Sequence, residues 1–263
     1  MSFKTDMHLH TYYSDGTMSP TDIVKRAKGL DYDMIAITDH DTIGGISEAM
    51  IAGRALDIKI IPGIELSADI DRIGVHILGY QIDLNNAELM ETLNTVLKRR
   101  EDRNERLLKA LQEMGLNIKF EDLNVRAECG YVGKPIIARA LVNKGYTQTI
   151  AQAFEAGKFL ESPKAKAVKK QKLTANQAID LILRAGGMSV LAHPMRIKGL
   201  GIRESKAFYE NVEALIVKLK KMGLSGLECY HTDHTHEEAL WLVEMAGKYK
   251  MHVTEGSDYH GSE

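Results

Sequence analysis

The chain has 263 residues, 44% of them hydrophobic and 27% charged, which suits one large α/β domain or a barrel with an insertion and allows a sizeable core. Its 34 basic and 36 acidic residues nearly cancel, so no global field favours long duplex nucleic acid or an anionic membrane, and an anionic substrate must be captured locally. The opening MSFKTDMHLH holds no signal-like stretch and no segment approaches the ~18 apolar residues of a membrane span, which predicts a cytoplasmic protein; Cys129 and Cys229 lack ligand spacing and disulfide density and read as buried thiols.

From the N-terminus, short β-rich runs alternate with helical stretches, the rhythm of parallel strands joined by crossover helices. Residues 6–10 read as a first strand. Ser19 and Pro20 read as the N-cap and first-turn proline of a helix reaching about Leu30. Residues 34–38 form the second strand, 45–56 a helix, 59–64 a third strand and 74–80 a fourth. Over 86–114 the composition shifts to long charged helices, with Leu89, Leu93, Leu97, Leu107, Leu111 and Met114 at helical spacing. This marks an insertion over 84–162, ending in the basic stretch Lys164, Lys166, Lys169, Lys170 and Lys172. The first rhythm then returns: helix 174–185, strand 188–192, helix 204–222, strand 226–230, helix 236–249 and strand 251–254. About seven strands in βα alternation predict a closed barrel rather than an open sheet, built from residues 1–83 and 163–263.

His8 and His10 stand two apart at the end of the first strand, so both rings leave one face while Met7 and Leu9 take the other. Alone, such a pair also suits an ordinary polar role. Asp15 follows in the SDG loop, His40 just past the second strand in TDHD, and Glu65 just past the third in GIELS. His76 lies near the start of VHILGY, His193 follows the fifth strand in LAHP, and Asp258 and His260 stand in GSDYHG. Most fall where a strand exits into its βα loop, the rim that carries the active site of parallel barrels. Taken singly, each histidine reads as a hydrogen-bonded ring and each aspartate as a cap or turn residue, as Asp15 before Gly16. Taken together, these imidazoles and carboxylates exceed what one tetrahedral zinc needs. They suit two or three divalent ions, manganese, iron or zinc, since unneutralised carboxylates in one mouth would repel.

His231, His234 and His236 in YHTDHTHEE resemble a metal cluster more openly. Here, however, Thr235 or Asp233 can cap the next helix, with Glu237 and Glu238 in its first turn. His231, just past the sixth strand, is read as reaching the site from behind the ligands or as a proton donor. His252, inside a strand, is read as a core histidine, and all four are left out of the ligand set.

In order, H-x-H, Asp15, TDH, G-x-E, the lone His76, AHP and D-x-H resemble the signature of the PHP (polymerase and histidinol phosphatase) family along the whole chain. The resemblance implies an α/β fold, a distorted (β/α)7 TIM-like barrel with an inserted helical subdomain, and three metals. It implies that His8, His10, Glu65 and Asp258 hold the first ion, Asp15, His40 and His260 the second, and Glu65, His76 and His193 the third, with Glu65 as a bridge. The insertion and the phrases VGKPIIARAL and GSDYHG look like the branch that includes nucleotide bisphosphate phosphatases and a 5′-to-3′ exoribonuclease. That branch usually reads GR-x-H-x-AR, whereas Lys134 and Ile136 replace the Arg and the His here. Members also continue past D-x-H, whereas this sequence stops at Glu263, as a truncated chain or one with a further tail would.

Such a centre suits a phosphoester, because ions ~3.5 to 4 Å apart can share a hydroxide, orient phosphorus and stabilise the attacking and leaving oxygens. The leaving alkoxide still wants a proton, and His231 is the candidate donor. Substrate binding is expected from the insertion as a lid over the mouth. Arg100 shares the line of Leu93, Leu97, Asn104 and Leu107, where an Arg is unexpected unless it meets an anion or a buried carboxylate. Arg103, Lys134 and Arg139 are further phosphate-clamp candidates, set against RREDRNER as a solvated face of i, i+4 ion pairs. The expected substrate is a nucleotide losing a terminal phosphate, such as a nucleoside 3′,5′-bisphosphate, or a short oligonucleotide losing 5′-end nucleotides. A histidinol phosphate phosphatase is the second reading, although the insertion exceeds the lid a small amino alcohol phosphate needs. A non-catalytic, metal-stabilised interaction module is the third, although no ligand position is lost.

Overall fold

A computed structural model of the chain describes residues 3–123 and 132–261, so Cys129 lies outside the described residues. Strands β1 (Thr5–Leu9), β2 (Met34–Ile37) and β3 (Lys59–Ile70) are parallel neighbours, joined through α1 (Pro20–Gly29) and α2 (Ile46–Leu56). Ser19 caps α1 by accepting the Asp22 N–H, with Pro20 in the first turn where its missing N–H is harmless.

Strand β3 runs six residues beyond its expected end at Ile64, which puts Glu65 inside the strand rather than after it. It then turns back at once into β4 (Ile73–Tyr80), its antiparallel partner. Asp71 and Arg72 both hold positive φ, 50° and 70°, the two-residue turn whose twist matches a right-handed hairpin. The expected βα alternation therefore breaks here.

After β4 come α3 (Ala87–Gln112), α4 (Lys134–Asn143), α5 (Ile150–Ala153) and α6 (Pro163–Ala167). The short β5 (Leu173–Thr174) adds to the upper part of β3. Then α7 (Ala175–Arg184), β6 (Met188–Leu191), α8 (Lys206–Lys221), β7 (Gly226–His231), α9 (His236–Lys248) and β8 (His252–Gly256) restore the alternation. The sheet order is β1-β2-β3-β4-β6-β7-β8, with β4 alone reversed along that path. A Leu9–Tyr259 bridge, with the His10 N–H donating to the Tyr259 carbonyl at 3.0 Å, brings the ends together and makes the barrel nearly closed. His252 was expected in the core and is exposed instead. Its neighbour Val253 is exposed as well, so the start of β8 lies at the surface.

Inside the barrel, Ala36, Ile61, Leu78, Tyr80, Val190 and Ala192 pack as an apolar plug. Period-2 alternation puts His76 on the same face of β4 as Leu78 and Tyr80, so the apolar layer becomes a polar floor toward the mouth. The helices cover the outside through a larger cluster that includes Leu89, Leu93 and Val96 of α3. The other half of α3 gives Leu107, Leu108 and Leu111 to a separate cluster with Ile137, Leu141, Leu160 and Ala165. Among the described residues no helix is long and apolar enough to cross a membrane.

Arg100 joins the two halves of α3. It is 3% exposed and meets the second of the partners expected for it, the buried carboxylate of Asp41, which Lys170 also reaches at 3.1 Å. Burial, partly offset by Asp41, pushes the Lys170 amine down to about 8. Three of the other four basic residues of that stretch meet acids as well: Lys164 meets Glu113, Lys166 meets Glu161 and Lys172 meets Asp69. Asp41→Ala removes the carboxylate beside two buried cationic groups and should cost about 3–5 kcal/mol of unfolding free energy. A urea midpoint equal to that of the parent protein would contradict this.

Candidate metal centre

The ligand candidates are placed by strand ends, by the loops just beyond them and, for Glu65 and His76, by the interior of the β3–β4 hairpin. His8 and His10 leave the end of β1, both fully buried. His40 follows β2, and its neighbours in TDHD anchor the loop on either side. Asp39 accepts from the Thr11 N–H and hydroxyl at 2.7 Å and from Ser14 at 2.5 Å, fixing the loop that carries Asp15. Asp41 accepts from the Ser67 N–H at 2.8 Å. His76 sits opposite Ser67 across the hairpin, so it is the diagonal neighbour of Glu65 on the same face. His193 and Asp258 both have positive φ, 30° and 54°, a conformation costing a non-glycine residue about 1–3 kcal/mol that persists when the surroundings dictate it.

The structure brings the nine ligand candidates together, the other eight gathered about Glu65, which is 0% exposed. Its Oε2 lies 3.4 Å from His8 Nε2, 3.3 Å from His10 Nε2 and 2.7 Å from His40 Nδ1. Its Oε1 lies 2.9 Å from His76 Nδ1 and 3.1 Å from His193 Nε2. Asp258 Oδ1 approaches His8 and His10 at 3.3 and 3.2 Å. Asp15 stands 3.2 Å from His260 Nε2 and 3.8 Å from His40 Nε2. Donor atoms therefore gather in overlapping groups, His8-His10-Glu65-Asp258, His10-Asp15-His40-His260 and His40-Glu65-His76.

These residues fit divalent cations. His8 Nε2, His10 Nε2, Asp15 Oδ1 and Glu65 Oε2 are buried yet make no directed hydrogen bond, although they lie close to one another. Atoms that approach without aligning are aimed at common points between them, as ligands are, and mixed imidazole and carboxylate sets suit such ions. The electrostatics agree. Burial opposes the charge of Glu65, yet the His40, His76 and His8 imidazoles hold its carboxyl well below the usual range. Burial likewise opposes a charged His10, but the nearby Asp258 and Glu65 carboxylates raise it to about 10. Asp15 and Asp258 are both held low, against burial, by His40 and His260 for the first and by His10 and His231 for the second.

Sequence reasoning missed Glu228, which lies fully buried in the middle of β7. One oxygen sits 2.8 Å from His8 Nδ1 and the other accepts the His193 N–H at 2.7 Å. It orients one ligand ring and the backbone of another. The only signal was an acid inside the apolar run GLECY. Gly256 is required beside it, since a Cβ there would stand 2.3 Å from His8 Cβ and 2.6 Å from Glu228 Oε1.

Of the remaining candidates, His231 lies behind Asp258. Its Nδ1 accepts the Asp233 N–H at 3.0 Å, so the neutral ring carries its proton on Nε2, 3.6 Å from Asp258 Oδ2. Thr235 caps α9 in a reciprocal capping box with Glu238. His234 bonds the Cys229 carbonyl and His236 starts the helix, exposed. Arg139, from α4, donates to the Asp15 carbonyl at 3.2 Å and so touches the mouth. Lys134 is held by the Leu160 carbonyl and Glu161, and Arg103 is buried along α3. Cys229 is buried, its thiol pushed up to about 12 by burial and by Glu228.

An α/β barrel whose mouth gathers buried imidazoles and carboxylates around one shared glutamate defines a metallohydrolase. Residues 6–229 match the PHP domain, and the chain belongs to that family. The 5′-3′ exoribonuclease of Haemophilus influenzae is 32% identical over 260 residues, spanning 99% of this chain and 91% of its own. The 3′,5′-nucleoside bisphosphate phosphatase of Chromobacterium violaceum is 29% identical over 259 residues, 97% of this chain and 86% of that one. A solved candidate metal-dependent phosphoesterase of Bifidobacterium adolescentis superimposes with a TM-score of 0.85 at 28% identity, over 99% of this chain and 89% of its own. The protein is a metal-dependent phosphoesterase.

Glu228→Gln keeps the shape of the side chain but weakens its hold on His8. It should lower metal affinity ~10- to 100-fold with the fold intact. Elemental analysis after dialysis, alongside circular dichroism, checks this, and unchanged metal retention would contradict it.

Proposed function

We propose that the centre binds three divalent ions, manganese, iron or zinc, and that its substrate is a nucleotide losing a terminal phosphate, such as a nucleoside 3′,5′-bisphosphate, or a short oligonucleotide cleaved from its 5′ end. The observation that carries the metal count is the division of Glu65, whose two oxygens face different sets of imidazoles. On this reading His8, His10, Glu65 and Asp258 hold one ion, Asp15, His40 and His260 a second, and Glu65, His76 and His193 a third. When bound, such ions polarise a phosphoryl group and activate water.

The chain's own residues supply the rest. His231 directs its Nε2 at the centre from a buried position and, in the imidazolium form that a second proton gives, is the proposed donor to the leaving oxygen. Arg139 stands at the mouth as a phosphate contact. Residues 84–162 act as a lid, a role supported by the reach of Arg139 from α4 to the Asp15 loop. Beside Asp41, the residue after His40, a cavity of about 160 Å³ is lined by Ile43, Met90, Leu93, Asn94 and Leu97 and offers an apolar place for a base. The names of the two relatives, an exoribonuclease and a nucleoside bisphosphate phosphatase, favour the same substrate class. A lid over a recessed centre suits single nucleotides and chain ends rather than long duplexes.

Phosphate release with Mn²⁺ from nucleoside 3′,5′-bisphosphates, mononucleotides, short RNAs and histidinol phosphate tests the proposal. Release from histidinol phosphate alone would overturn it. Glu65→Ala should remove more than one metal equivalent per chain and nearly all activity, and a full metal complement in that variant would refute the bridge. His231→Gln should slow alkyl phosphate esters ~10²- to 10⁴-fold while nearly sparing p-nitrophenyl phosphate, whose leaving group needs no proton. Equal losses on both substrates would exclude His231 as the donor.

A further inference from the structure

Three residues after His193, in the turn Pro194–Arg196, an arginine sits at the mouth with no role so far. The segment is 3₁₀, with the Arg196 N–H donating to the His193 carbonyl at 2.9 Å. His193 itself lies outside the segment, as its N-cap in the left-handed region, with Nε2 3.1 Å from Glu65 Oε1.

The guanidinium is placed by two carboxylates. Nη1 donates to Asp258 Oδ2 at 2.5 Å, and Nε lies 3.2 Å from Asp233 Oδ2. The other oxygen of Asp258 faces His8 and His10, so the guanidinium stands one carboxylate width from the ligand cluster. Its side chain is 43% exposed, more than any of the nine ligand candidates, which range from 0% to 33%. Among the described residues the contacts engage Nη1 and Nε, which leaves Nη2 of the five-donor fork for a further acceptor. Such a fork matches two oxygens of a phosphoryl group.

We propose that Arg196 is a phosphate-binding residue, which grips non-bridging oxygens of the substrate phosphoryl group opposite Arg139. Asp233 and Asp258 hold the fork in place before substrate arrives, so little rotamer freedom is lost on binding. The inference rests on the phosphoesterase activity and not on the nucleotide reading, because the group it recognises is the phosphate itself.

The test is calorimetric titration of the metal-loaded protein with inorganic phosphate, with metal equivalents counted in the same samples. Arg196→Gln should weaken phosphate binding at least tenfold with metal content unchanged. Arg196→Lys, which keeps charge but loses the fork, should fall between. If Arg196→Gln loses metal while the loaded fraction binds phosphate as before, the residue serves only to position Asp258 and the proposal fails. It fails equally if both variants match the parent. Failure of the nucleotide screen with this pattern intact would overturn the substrate assignment alone.

Discussion

A single carboxylate enclosed by imidazoles organises this molecule. Glu65 is fully buried, and an isolated buried anion is among the most costly groups a fold can hold. It is tolerated because five histidines from four strands or their ends converge on its two oxygens. Much of the surrounding architecture serves that convergence. The hairpin of β3 and β4 carries Glu65 and His76 on one face, and the apolar plug of Leu78, Tyr80 and Val190 closes the barrel beneath them.

Around this hub lies a second set of acids that touch backbone or ring nitrogens rather than facing the mouth. Glu228 fixes His8 and His193, Asp39 fixes the loop before Asp15, and Asp41 ties the loop after His40 to α3. Asp6 performs the same service for β8, accepting from the N–H and hydroxyl of Ser257 next to Asp258. Ligand positions scattered over the chain thus gain rigidity from partners on other strands, which is how a metal centre holds its geometry.

The rim residues were readable because a parallel barrel places functional groups at strand exits, and the motifs around His8, His40, His193 and Asp258 all fall there. The helix caps were readable for a similarly local reason, since Ser19 and Thr235 act on N–H groups within three residues. The reversal of β4 was not. Its turn is Asp71-Arg72, without the Asn-Gly or Asp-Gly pair that announces such hairpins, so the strand looked like one more in the series. Glu228 and Arg196 escaped because their meaning lies in contacts 220 and 62 residues away, with His8 and Asp258. His252 misled because a strand residue was taken to face a core, whereas both His252 and Val253 at the start of β8 are exposed.

The seam between the first and last strands has one further implication. Beside the Leu9–Tyr259 bridge and the Asp6–Ser257 contacts that hold it, His8 and His10 stand on one side and Asp258 and His260 on the other. Cations shared by these groups would rivet the two margins of the barrel together, so the reactive centre doubles as a fastener. Chelation would then loosen the wall as well as silence the chemistry, because anything that binds only the folded form adds its own free energy to that form.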